Sequence, residues 1–213
     1  MNDKFAPFGD DEAAQKTPAG DEWTPIVPVP DGAPEAIEAI AAFAKFKGIF
    51  RTGLWQYTNA ENKLLAFTAR FDHPPNGEPC EKEFRQFTFC GNVSGRREWR
   101  CKSLPPPRPL FWLARLAESP GLPVLIVEGE KTAVAAATCF PAHVAVTSSH
   151  GAKSAKTADW LPLAGRDVAI WPDHDTTGGA YAVDVAALVS NRSAICPDRG
   201  GSTGFPGRLG SGG

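Results

Sequence analysis

No GxxxxGK[ST] stretch occurs anywhere in the chain, so it carries no P-loop and no nucleotide-driven motor of its own. No apolar run approaches the ~20 residues that a membrane-spanning helix requires. No secretory signal opens the sequence either. Together these two absences lead to the expectation of a soluble, cytoplasmic chain with no membrane partner. The five cysteines (Cys80, Cys90, Cys101, Cys139 and Cys196) form no C-x-x-C pair. A zinc ribbon needs two thiolates on one turn, so that class is excluded. Their odd number fits reduced thiols. Charge of one sign is also missing: 22 Lys and Arg face 24 Asp and Glu, a net charge of −2. Any nucleic-acid binding therefore has to rest on a local patch.

Twenty prolines and twenty-one glycines are present, the glycines crowded at the end. Residues 1–34 read as a flexible tail and linker, because a polar, acidic start followed by WTPIVPVPDGAP buries too little apolar area to offset ordering. Residues 35–103 read as a small antiparallel β-rich domain. Ile37, Ile40, Ala41 and Ala44 predict a helix over 34–47. Alternation then takes over at Trp55 and Tyr57, at Leu65, Phe67, Ala69 and Phe71, at Phe84, Phe87 and Phe89, and at Trp99 and Cys101. Arg70, Arg85, Arg97 and Arg100 interleave with these aromatics, as on surfaces where rings stack on bases and guanidinium groups meet phosphates. A half-solvated sheet with a charged outer face has the same composition.

The proline run from Leu104 to Pro109 stops both helix and central strand and marks the start of a second domain, 104–190. Phe111 to Ala117 reads as a short helix. Three short β-branched runs follow, Val124–Val127, Val144–Val146 and Val168–Trp171. Between and after them lie helical segments over 131–139 and 179–189. That order predicts a parallel sheet flanked by helices, an α/β architecture. Residues 191–213 have almost no apolar periodicity and read as an irregular tail.

Parallel sheets carry ligand chemistry at the carboxyl ends of their strands. The first run leads into Glu128-Gly129-Glu130-Lys131 and the third into Asp173-His174-Asp175. Residues i and i+2 of an extended segment point the same way, so Asp173 and Asp175 can share a hard cation with Glu128. Gly129 and Gly178 let backbone approach this crevice, and Lys131 either contacts phosphates or pairs with a neighbouring acid. Each residue has a plainer reading. Glu128 and Glu130 suit the start of a helix, and Glu130 is read as structural. Asp175 or Thr177 suits an N-cap. Asp173-x-Asp175-x-Thr177-Gly178 partly imitates a calcium loop, but a strand precedes it where that loop needs a helix. His174, between the aspartates, is the histidine to test, and Arg166 reads as surface.

These residues carry a resemblance. VLIVEGEKTA and VAIWPDHDTTG resemble, in order and separation, the glutamate and Asp-x-Asp motifs of the Toprim domain shared by bacterial-type primases, topoisomerases and some nucleases. W-x-Y…R-F-D, PPPRPLFWL, DWLPLAGRDVAIWPDHD and GGAYAVDVAAL add a resemblance to the primase modules of phage- and plasmid-type primase-helicase proteins, over roughly residues 50 to 190. The resemblance implies a Toprim-like parallel sheet with Mg²⁺ (or Mn²⁺) held by Asp173, Asp175 and Glu128. It implies primer synthesis from nucleoside triphosphates on a single-stranded DNA template, with a replicative helicase as partner. Glu128 would complete the metal site or take the proton from the attacking 3′-hydroxyl. Two other readings stand beside it: a non-catalytic or truncated nucleic-acid-binding remnant, and a Toprim nuclease. Those relatives continue through a further apolar strand, whereas NRSAICPDRGGSTGFPGRLGSGG does not, so a truncated or frameshifted end is expected.

Overall fold

Two sheets of opposite character pack together, one antiparallel and one parallel, through a core they share. The structure, a computed structural model, describes residues 22–74 and 81–193. The chain runs β1 (Trp23–Pro25), α1 (Ala36–Lys47), β2 (Phe50–Thr58), β3 (Leu64–Asp72), β4 (Lys82–Asn92) and β5 (Arg97–Cys101). It continues with α2 (Leu113–Glu118), β6 (Val124–Ile126), α3 (Glu130–Cys139), β7 (Val144–Val146), β8 (Val168–Ile170) and α4 (Thr176–Ser193).

The first sheet is antiparallel. β2 pairs β3, β3 pairs the first half of β4, and β5 pairs the second half. Most of its strands read as expected from the aromatic alternation. β1 does not, because it falls within the stretch expected to be tail and linker. Trp23–Pro25 adds to β4 opposite Cys90–Asn92. The Trp23 side chain is buried, with the guanidinium groups of Arg96 and Arg100 lying 5.6 and 4.5 Å from its ring centre. Long-range pairing and a cation over an indole thus override a proline-rich local sequence. The expected tail over 1–21 and the irregular segment beyond 193 lie outside the described residues.

The second sheet is parallel, in the order β7-β6-β8. Its strands are three residues each, and β6 and β7 are fully buried. Alternation sends their side chains to two different cores. Val124, Ile126, Val144 and Val146 pack with Trp160, Leu163 and, from α4, Tyr181, Val185 and Val189. Leu125, Val127 and Ala145 pack with Ala133 and Ala136 of α3, and also with Tyr57 and Ala66 of the first sheet. A third core, on the far face of the first sheet, joins Ala36, Ile40 and Ala44 of α1 to Phe71, Phe87, Phe89 and Trp99. The layers are therefore α1, antiparallel sheet, α3, parallel sheet and α4. The antiparallel sheet is covered on both faces.

Arg166, read from sequence as surface, has a structural task. Its guanidinium donates to the carbonyls of Leu116, Ser119 and Leu122, at 3.3, 2.7 and 2.7 Å. It closes the open end of α2 and the turn leading into β6, as a cation at a helix carboxyl end does.

Candidate functional site

The helix after β6 lies on one face of the parallel sheet and the helix after β8 on the other. The connections from these neighbours leave in opposite directions, which opens a crevice at their carboxyl ends. Glu128 follows β6 and Asp173 follows β8, so both stand at this switch point. They touch: the backbone N–H of Asp173 donates to Glu128 Oε1 at 2.8 Å. Burial pushes the Glu128 carboxyl above its ordinary range, the Asp173 N–H pulls it back, and the carboxylates of Asp173 and Asp175 push it further up. Like charges therefore gather at this rim.

Asp175 also takes the plainer role open to it. Its Oδ1 accepts the backbone N–H of Gly178 at 2.7 Å, and its carbonyl accepts Gly179 N–H at 3.0 Å. That is an N-cap on α4. Asp173 and His174 are exposed and, with Pro172, Asp175, Thr176 and Gly179, line an open basin of about 490 Å³. Among the described residues no three His, Cys, Asp or Glu side chains converge closely enough to hold a metal ion. The donors are of the right type for a hard cation, and their mutual repulsion is what such an ion relieves. Each of Glu128 and Asp175 has one carboxylate oxygen engaged by backbone, which leaves the other for a ligand.

The two glycines read as making room behave differently. A Cβ on Gly178 would overlap the Asp173 carbonyl oxygen and Glu128 Oε1, so a side chain there and the present position of Glu128 are incompatible. At Gly129 a Cβ meets nothing within 4 Å, and φ is −150°, open to any residue. Lys131 is exposed on the first turn of α3.

Glu130, read as structural, is buried, and Tyr57 of β2 donates to its Oε1 at 2.8 Å. Burial raises both groups above their ordinary pKa ranges. The pair joins the first sheet to the first turn of α3, next to the acidic rim.

Four other polar contacts, made by Tyr181 and His150, went unread in the sequence. The Tyr181 hydroxyl donates to the Val127 carbonyl at 3.3 Å and lies 3.2 Å from Ser148 Oγ, tying α4 to the ends of β6 and β7. His150 stands at φ 70°, an uncommon conformation for a residue other than glycine. Its Nε2 lies 2.8 Å from Ser103 Oγ and its Nδ1 lies 3.2 Å from Ser149 Oγ. Burial, then the charges of Arg108 and Arg85, push its pKa down to about 4, so the ring is neutral at pH 7. Ser103 and His150 are 47 positions apart, and no local pattern links them.

The arginines read as a nucleic-acid patch are largely engaged by acids two residues away on their own strands. Arg70 pairs with Asp72 at 2.8 Å, Arg85 with Glu83 at 2.7 Å, and Arg100 with Glu98. Arg97 is exposed. Acids at i±2 share a strand face with the arginine, so this pairing is written in the sequence.

An α/β protein with a small parallel sheet, an antiparallel sheet packed against it and a carboxylate-rich rim is the class these features define. Residues 54–174, more than half of the chain, match the family described as a domain of unknown function, DUF6371, and the chain belongs to that family. The matched stretch runs from within β2 to His174, and holds the parallel sheet and the antiparallel sheet apart from β1 and the first residues of β2. Among curated proteins none matches the chain.

Proposed function

We propose that the chain is a Toprim-like, Mg²⁺-dependent nucleotidyltransferase that synthesises a primer on single-stranded DNA. The observation that carries this reading is the 2.8 Å contact between Glu128 and the backbone of Asp173, at the carboxyl ends of two adjacent parallel strands. Asp173, Asp175 and Glu128 would hold the divalent ion (Mg²⁺ or Mn²⁺), which when bound neutralises phosphate oxygens. Glu128, with its carboxyl held above its ordinary range, would complete the metal site or accept the proton from an attacking 3′-hydroxyl. Exposed Lys131, beside it in the chain, supplies a cation for phosphate. A replicative helicase would supply the motor that the sequence lacks.

A second reading is a nucleic-acid-binding protein without catalysis. Asp175 capping α4 favours it, since the cap gives one of the three acids a structural occupation. One assay separates the readings: purified chain with a single-stranded DNA, ribonucleotides or deoxyribonucleotides, and Mg²⁺ or Mn²⁺. Extension that disappears in Asp173→Ala supports the transferase. Retention of the strand with no extension supports the binder, and shortening of the strand supports a Toprim nuclease.

A further inference from the structure

The antiparallel sheet is wider than the unit that covers it. On the face toward α3, Tyr57, Ala66, Thr68 and Gln86 are buried, each 4% exposed or less. One row further along, Arg70 and Phe84 face each other across β3 and β4 and are only half-buried. Beyond them lies Lys82, which is exposed. Glu130, the first residue of α3, is anchored on Tyr57 in the deep part of this face. The outer rows therefore stand beyond Tyr57 along the strands, as a wall past the deep part of this face.

Two rings lie on that wall. Trp55 of β2 and Phe84 of β4 reach toward each other over β3, with centroids 6.3 Å apart and planes 21° from parallel. Alternation puts Trp55 on the same face as Tyr57 and Gly53. The indole lies along the sheet directly over Gly53, where a Cβ would overlap its ring atoms. The missing side chain at 53 is what lets the indole lie flat.

We propose that Trp55 and Phe84 form a stacking platform for an unpaired base of a single-stranded nucleic acid. Near-parallel rings offer a broad π surface that any base can cover, and the base must be unpaired and splayed to reach it. Lys82 on the same face and Lys131 on the neighbouring turn, both exposed, supply cations for the phosphates on either side. A ring surface also explains how a chain whose Arg70, Arg85 and Arg100 are paired with acids could hold a strand. This inference deepens the nucleic-acid reading above and rests on it only for the identity of the polymer.

The test is anisotropy of a fluorescein-labelled 20-mer of deoxythymidine in EDTA, with no nucleotide present, so that no metal or chemistry contributes. Phe84→Leu keeps apolar volume and removes the π face. Gly53→Ala keeps both rings and displaces the indole. Each is expected to weaken binding roughly five- to hundredfold, the range for one lost base stack. Unlabelled single strand should compete and duplex should not. Melting curves establish that each variant is folded. Trp55→Ala serves as a third variant if it folds, since Trp55 also packs on the core shared with α3. Wild-type affinity in folded Phe84→Leu and Gly53→Ala overturns the platform, as does equal competition by duplex. The outcome is independent of catalysis. A strand held by the rings but never extended defeats the transferase reading alone, and extension with binding indifferent to the rings defeats this inference alone.

Discussion

Two adjacent glycines in the first turn of α4 provide an internally controlled measurement. At Gly179 a Cβ meets nothing within 4 Å. Gly179→Ala should therefore stabilise the protein by up to about 1 kcal/mol, the difference in helix propensity. At Gly178 the same methyl would overlap the Asp173 carbonyl and the Glu128 carboxylate. The propensity gain remains, but overpacking costs about 1–3 kcal/mol. Displacing Glu128 also breaks its contact with the Asp173 N–H, a hydrogen bond to a charged group worth about 1.5–3 kcal/mol. The balance for Gly178→Ala is a loss of about 2–4 kcal/mol, so the variants should differ by roughly 3–5 kcal/mol. At about 2–4 °C per kcal/mol for a chain of this size, melting temperatures should separate by the order of 10 °C. Urea unfolding of both proteins beside wild type reads the difference directly, and an unchanged slope shows that the same surface is exposed. If Gly178→Ala proves as stable as Gly179→Ala, Glu128 does not sit against the turn, and the geometry of the rim is wrong.

Further expectations follow from single contacts. Asp175→Ala should lose about 0.5–2 kcal/mol of stability through the missing cap, whereas Asp175→Asn, which still accepts the Gly178 N–H, should retain most of it. If Asp175 also holds a metal, Asn should nevertheless abolish divalent-ion binding seen by calorimetry. Tyr57→Phe strands the buried Glu130 carboxyl and should cost about 1–3 kcal/mol; urea unfolding checks it. His150 gives a signed pH dependence. Its folded pKa is depressed to about 4 from 6.5, so the unfolded chain takes up a proton first as the solution is acidified. Its contribution is complete above pH 6.5 and is lost as pH falls toward 4, by about 3 kcal/mol in all. Glu128 and Glu130, raised rather than depressed, act in the opposite sense. The difference between wild type and His150→Gln across that window isolates the histidine, and parallel curves would refute the assignment.

Much of the rim was legible because its signals are local. Val124–Val127 and Val168–Trp171 are apolar runs of strand length, the first ended by Glu128 and the second by Pro172-Asp173, and that alone places Glu128 and Asp173 at strand ends. Asp175 was legible as a cap, since an aspartate three residues before Gly178 is a cap signature. The arginine pairing was also there to read, in R-F-D, E-F-R and E-W-R, as acids on the same strand face. What could not be read depends on contacts between distant segments. Trp23 becomes a strand residue only because Arg96 and Arg100 cover it, more than seventy positions later. Ser103 meets His150, and Tyr57 meets Glu130, through the packing of one sheet on the other. Gly129 and Gly178 looked equivalent in sequence; only the return of the chain after β8 makes one indispensable and the other replaceable.

The double coverage of the antiparallel sheet has an evolutionary consequence. A polypeptide cut at the proline run would leave Tyr57 and Ala66 facing water on one fragment, with Leu125, Val127 and Ala133 facing water on the other. Neither piece could be inherited, swapped or tethered to a new neighbour without its counterpart. Fusion partners joined to this protein should therefore be found outside Trp23–Ser193, and the two sheets should travel through genomes as one indivisible cassette.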